Sequence, residues 1–144
     1  MSLRFEEGLD PIFVEFVTRE NMNEYYLSRD LKWDTSEFLR ECTNYINFQV
    51  FRKTDQVASF SLSYYVDLCL IRDIQVSKVF RNQGIGTSCL EFILCHAKNN
   101  GFTGVGLKVF TENPAVNLYK RVGFFVDSQE SGITKMVKSC MYTA

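Results

Sequence analysis

Between Ile46 and Val76 the sequence alternates apolar and polar residues in three runs, Ile46–Lys53, Gln56–Tyr65 and Leu68–Val76. The joints are short: the polar turn Lys53-Thr54-Asp55-Gln56, then the pair Val66-Asp67. Runs of period two joined so tightly are the antiparallel strands of a meander. The second half of the chain has another period. From Gly84-Ile85-Gly86 the apolar positions Ile85, Cys89, Phe92, Ile93 and Ala97 repeat at helical spacing to about Asn99. Gly101 suits the left-handed residue that ends such a helix, and Val105–Phe110 reads as a strand. A meander followed by a strand–helix–strand crossover restricts the chain to a mixed α/β sheet with helices on both faces.

The flanks extend this pattern. Ile12–Val17 is a β-rich run, and Thr18 is placed to cap a helix through Asn21–Leu31. Asp34 and Glu37 have the spacing of a capping box, which predicts a helix to about Thr43. Asn113-Pro114 reads as an N-cap with proline at N1, opening a helix over Pro114–Arg121 that Gly123 stops. Phe124–Asp127 and Ile133–Ser139 supply the last strands. In Leu68–Val76 the apolar residues change phase, from Cys69 and Ile71 to Ile74 and Val76. One extra residue near Arg72-Asp73, a β-bulge, would keep all four on the core face.

At 144 residues the chain is expected to be a single domain over 1–144. Its 46% apolar and 15% aromatic content supply core material, which excludes a disordered chain. Sixteen basic against seventeen acidic side chains leave a net charge of -1, so nucleic acid is not the expected partner. No apolar run approaches the ~20 residues of a membrane span, and the acidic start (Glu6, Glu7, Asp10) is unlike a signal peptide. Five cysteines at irregular spacing argue against a disulfide framework and for a cytoplasmic protein. Cys42, Cys69, Cys89 and Cys95 are expected as buried thiols. With no CxxC and one histidine, His96, no metal site is expected.

The densest chemical signal is the stretch from Val76 to Thr87, where a strand ends, Arg81 follows in a polar loop, and Gly84 and Gly86 open the long helix. Glycines allow close approach of backbone to a ligand, and a helix N-terminus offers unpaired N–H groups, an arrangement suited to phosphate. A Walker loop is excluded by the absence of G-x-x-x-x-G-K-[S/T], and a Rossmann fingerprint by Cys89 in place of a third glycine. A glycine-started helix without a ligand is the remaining alternative at this point.

Arg81-x-x-Gly84-x-Gly86 resembles the pyrophosphate motif of the GCN5-related N-acetyltransferase superfamily, Q/R-x-x-G-x-G/A. Asn113-x-Ala115-x-x-Leu118-Tyr119-x-x-x-Gly123-Phe124 is similar to that family's second motif, N-x-x-A-x-x-L-Y-x-x-x-G-F, with one residue fewer between the asparagine and the alanine. The order of elements agrees too. The resemblance implies an α/β (α+β) fold, the acyl-CoA N-acyltransferase fold. This is a mixed, mostly antiparallel sheet of about seven strands with a splayed, bulged fourth strand and about four flanking helices. It implies acetyl-CoA as co-substrate and direct acetyl transfer to a primary amine of a small molecule or a peptide or protein. Backbone groups of Ile74 and Val76 would bond the pantetheine arm. Arg81, Asn82, Gln83, Gly84, Ile85, Gly86 and Thr87 would hold the pyrophosphate, Asn113 would frame the arm or thioester, and Tyr119 would act as general acid.

Family members often carry a Glu or His base on the fourth strand, where this chain has Leu70 and Arg72. Arginine stays protonated and cannot serve. Asp73, Asp67 and Glu112 are the nearest carboxylates, with Asp73 and Glu112 the catalytic candidates, and each is equally readable as a surface charge or ion-pair partner. Arg72 facing an acceptor would favour one carrying a carboxylate or phosphate. Asn21–Leu31, Trp33, Tyr64-Tyr65 and Phe124–Ile133 would build the acceptor pocket. The rival reading is a catalytically silent acyl-CoA-binding module, favoured by the missing base and opposed by Tyr119. A homodimer through an exposed strand edge is compatible with both.

Overall fold

Asp10 and Pro11 decide where the first helix begins. The computed structural model describes residues 2–140. In it Asp10 caps α1 (Pro11–Ser28) by accepting from the Phe13 N–H at 3.2 Å, with proline in the first turn. Ile12–Val17 is therefore helix, not the expected strand. A strand would alternate Ile12, Val14 and Phe16 on one face. Instead Val14, Val17 and Thr18 are buried at helical spacing while Ile12 is 84% and Phe16 62% exposed. The first strand lies earlier, β1 (Arg4–Glu7).

Asp34 caps α2 (Thr35–Cys42) as expected, its Oδ1 accepting from the Glu37 N–H at 3.0 Å. The meander follows as β2 (Ile46–Arg52), β3 (Asp55–Tyr65) and β4 (Leu68–Val76). After a 3₁₀ turn at Lys78–Phe80 come α3 (Ile85–Asn99), β5 (Gly104–Phe110), α4 (Ala115–Val122), β6 (Phe125–Glu130) and β7 (Ile133–Ser139). The seven strands lie in the order β1-β2-β3-β4-β5-β7-β6. β4 and β5 are parallel, as a helical crossover requires, and their ladder runs from Leu68↔Gly104 to Ile71↔Leu107. β1–β2, β2–β3, β5–β7 and β6–β7 are antiparallel. This is the mixed sheet with four helices that the pattern implied.

Two compact units divide the chain: residues up to Leu62 with Asp73–Ile85, and Ser63–Arg72 with residues from Gly86 on. In the first, Phe48 stacks on Phe60 at 5.1 Å, and Val57 to Leu62 are buried without a break. Asn47 is buried there as well. It donates to the Cys42 carbonyl (2.8 Å) and accepts from the Ser61 hydroxyl (2.6 Å), which satisfies the amide and ties β2 to β3. The second unit packs Cys89, Leu90, Ile93 and Ala97 of α3 and Val105, Leu107 and Met136 of its strands as core. Gly101, at φ +82°, takes the left-handed position after α3, and the Phe102 N–H returns to the Ala97 carbonyl at 2.9 Å. Cys42, Cys69 and Cys89 are buried as expected, but Cys95 is exposed on α3. Its apolar neighbours Ile93 and Leu94 do not put it on their side of the helix, because adjacent helical residues face apart.

Candidate active site

The first unit holds the end of β4 and the loop that follows it. Cys69, Ile71 and Gln75 are buried on one parity of β4, whereas Ile74 and Val76 are half-buried. The expected switch of buried face at Arg72-Asp73 is therefore not made. A polar residue, Gln75, takes the inner position because a hydrogen-bond network receives it. Its Nε2 donates to Asp73 Oδ1 at 2.8 Å, and the Thr18 hydroxyl donates to Asp73 Oδ2 at 3.0 Å. Burial pushes the Asp73 carboxyl above the usual carboxylate range, while the bonds from Gln75, Thr18 and the Ile74 N–H pull it back down. Asp73 is close enough to α1 and α2 that its charge adds to burial in raising the Tyr26 phenol, and in raising the Cys42 thiol to about 11.

Asn21 of α1 continues the network. Its Nδ2 donates to Gln75 Oε1 and to the Val76 carbonyl, both at 3.0 Å, and its Oδ1 accepts from the Arg81 guanidinium at 2.5 Å. The Val76 carbonyl thus already has a partner. Beyond Arg81 the loop turns through Asn82 (φ +61°) and Gly84 (φ +78°), both exposed, and enters α3 at the buried Ile85. The left-handed φ at 84 explains the glycine and space does not, since a Cβ there would meet no atom within 4 Å. Gln83 accepts from Arg52 Nη1 at 2.6 Å, and the Arg52 guanidinium lies 5.1 Å from the Phe80 ring centroid. Arg52 is thus a second cation beside the loop. Glu20, Asn21, Asn23, Glu24, Lys78 and Arg81 line a cleft of about 240 Å³.

In the second unit, Gly86 and Thr87 lie in the first turn of α3, whose N–H groups have no partner within the helix. Gly86 serves packing: a Cβ built there would lie 2.9 Å from Leu118 Cδ2 of α4. α4 begins one residue later than expected, with Pro114 and not Asn113 at the cap position, although Asn113 Oδ1 still accepts from the Ala115 N–H at 2.9 Å. Gly123 (φ +110°) ends that helix. Tyr119 is buried, with its ring edge-on to Phe124 at 6.0 Å. Glu112 is exposed in the turn between β5 and α4, beside Asn113 in sequence. Arg72 is exposed on β4. Asp67 accepts from the Thr103 hydroxyl at 3.0 Å and so has a turn-holding role. His96 meets the Tyr64 hydroxyl at 2.8 Å beside the Tyr64–Phe102 stack. Among the described residues no three His, Cys, Asp or Glu side chains gather as a metal would need, and no helix is long and apolar enough to cross a membrane.

Each unit brings its own predicted residues together. Val76 and Arg81 bond Asn21 directly and Asp73 is linked to it through Gln75; in the second unit Gly86 packs against Leu118 of α4, the helix that carries Tyr119 and begins beside Asn113. Sequence reasoning missed Thr18, Gln75 and Arg52, and it placed Asn21 at the acceptor pocket and not beside Arg81. Only Gln75 left a trace, as the polar residue between Ile74 and Val76.

Residues 8–124 match the profile of the family described as Acetyltransferase (GNAT) family. No curated protein matches the sequence. Among solved structures, the chain is similar to the PaiA N-acetyltransferase of Thermoplasma acidophilum in complex with coenzyme A. Identity is 16% and the TM-score 0.78, over 96% of this chain and 99% of that one. It is also similar to the ribosomal-protein-S18-alanine N-acetyltransferase of Escherichia coli, at 18% identity and a TM-score of 0.74, over 99% and 97%. A GNAT family acetyltransferase from Elizabethkingia anophelis with acetyl-CoA bound gives 16% and 0.72, over 95% and 97%. At such identities the likeness is one of fold.

Proposed function

Because the chain belongs to the GNAT acetyltransferase family, we propose that it moves an acetyl group from acetyl-CoA directly to a primary amine of a small molecule or peptide. The loop from Arg81 to Thr87 carries the reading. A guanidinium held by a neutral amide, two left-handed residues and the unpaired N–H groups of α3 form one run of anion-binding groups. In this reading Arg81–Thr87 hold the pyrophosphate. Backbone groups of Ile74 and Val76 and the Asn113 amide hold the pantetheine arm. The thiols at irregular spacing suit a reducing, cytoplasmic setting.

The chemistry makes two demands. An unperturbed alkylamine has a pKa of ~10.4, so roughly one molecule in 10³ is neutral and nucleophilic at pH 7. A carboxylate that takes the amine's proton works best with its own pKa raised toward the working pH. Asp73 answers that description: it is half-buried on β4, fed by neutral donors, and pushed up by desolvation. Glu112, exposed in its turn, is the second candidate. The leaving thiolate then needs a proton or a strong donor. Using ~8.5 for a thiol and ~10 for a phenol, full transfer from Tyr119 is uphill by about 2 kcal/mol. Tyr119 therefore acts chiefly as a hydrogen-bond donor to the developing charge.

The first test is binding. CoA at about 100 times its dissociation constant stabilises a protein by about 2.7 kcal/mol, which a thermal melt reads as a shift. The proposal expects that shift with CoA and acetyl-CoA. No shift at millimolar CoA, or a shift with ATP or NAD instead, rejects it.

A further inference from the structure

Asn21 stands in the middle of α1 (Pro11–Ser28), where no cap or turn calls for asparagine and its helix propensity is poor. A locally unfavourable residue of this kind points to a tertiary task. The task is visible in its bonds. Both ends of the amide are engaged: Nδ2 by Gln75 Oε1 and the Val76 carbonyl, Oδ1 by the Arg81 guanidinium. The orientation is forced, because a carbonyl only accepts and a guanidinium only donates. Gln75 is itself buried and bonded to Asp73, so Asn21 is anchored to the end of β4 and not to solvent. The partner offered to Arg81 is also neutral. Glu20 and Glu24 line the same cleft, yet among the described residues Arg81 bonds the amide and makes no ion pair with either carboxylate.

We infer that Asn21 is a positioning residue for the cofactor: through Oδ1 it holds the Arg81 guanidinium ready for the phosphate groups of CoA, and Gln75 and Val76 hold Asn21 in turn. The inference rests on the reading of the Arg81–Thr87 loop as the CoA site. Its physical basis is preorganisation. A long exposed side chain loses rotamer freedom when it grips a ligand, and one already pinned loses less. Asn21 touches no phosphate in this scheme and acts only through Arg81.

A double-mutant cycle on CoA affinity tests it, with calorimetric titration of CoA into wild type, Asn21→Ala, Arg81→Ala and the double variant at one ionic strength. Asn21→Ala is expected to raise the dissociation constant roughly 3- to 10-fold. In the Arg81→Ala background the same change is expected to add nothing beyond about twofold. Equal losses in both backgrounds would show that Asn21 acts on the fold and not on Arg81. Unchanged or tighter binding by Asn21→Ala would equally overturn the inference. Absence of CoA binding by wild type rejects the function itself, and this inference with it. Should Asn21→Ala not fold, Asn21→Ser, whose hydroxyl is too short to span these partners, enters the same cycle.

Discussion

Glycine at 86 has two explanations, the proposed close approach of a phosphate and the packing of α3 on α4, and Gly86→Ala tests the second. The added Cβ would lie 2.9 Å from Leu118 Cδ2. Carbon atoms in contact prefer about 3.5–4.0 Å, so the pair must part by roughly 0.6 Å or more. Overpacking of this kind costs about 1–3 kcal/mol, against which alanine's helix propensity returns at most about 1 kcal/mol. A net loss of about 1 kcal/mol lowers the melting temperature of a chain this size by about 2–5 °C. Leu118→Ala removes the opposing methyl groups, so Gly86→Ala placed on that background should be neutral or stabilising. Thermal melts of the four proteins give the coupling directly, expected at about 1–2 kcal/mol. If Gly86→Ala changes the melting temperature equally with and without Leu118, the close contact is absent and the packing argument fails. A bulkier Gly86→Val damages the same contact and would not isolate a phosphate-binding role.

Tyr119→Phe deletes only the hydroxyl; as the donor to the leaving thiolate its loss should cut kcat by roughly 10²–10⁴ with CoA affinity little changed, whereas a lower melting temperature at unchanged kcat removes it from the chemistry. Asp73→Asn should cost roughly 10²–10⁴ in kcat as well. Its effect on stability is opposite in sign. The folded-state pKa of Asp73 is raised, so its contribution is fully present below the ordinary carboxylate value and is lost as pH rises through the raised one. Denaturant melts across pH should therefore show Asp73→Asn gaining on wild type from acid toward neutral pH; a constant gap contradicts the burial argument. Val66, 83% exposed in the β3–β4 turn, holds φ +55°, a left-handed conformation that strains a β-branched residue. Val66→Gly should gain up to about 1.5 kcal/mol in a thermal melt, the relief of ~1–2 kcal/mol less glycine's entropic cost of ~0.5–1.

How much the sequence disclosed depends on how far each signal reaches along the chain. The Asp34 cap, Gly101 and Gly123 mark element ends and lie where expected, and Asn113-Pro114 marks the start of α4 to within one residue. Ile12–Val17 misled because its aromatic and β-branched composition favours a strand, while Asp10-Pro11 and the spacing of Val14 and Val17 set a helix. Local capping outweighed propensity there. β4 misled differently: apolar residues at 74 and 76 suggested a change of buried face, but Gln75 goes inward because Asp73 and Asn21 satisfy its amide. Of the candidate site, the loop and α4 were legible because their glycines, asparagine and proline have local conformational meaning. Asn21 and Arg52 were not, since their partners Arg81 and Gln83 lie far along the chain and only the folded sheet joins them.

Acetyl transfer is tested by the release of CoA thiol from acetyl-CoA in the presence of a panel of small amines and peptides. Release is expected to depend on both the amine and the enzyme, to rise with pH as more of the amine is neutral, and to fall by at least about 10² in Tyr119→Phe. Binding of acetyl-CoA without amine-dependent release from any member of the panel would contradict it, and would instead describe a silent acyl-CoA-binding protein on the same fold.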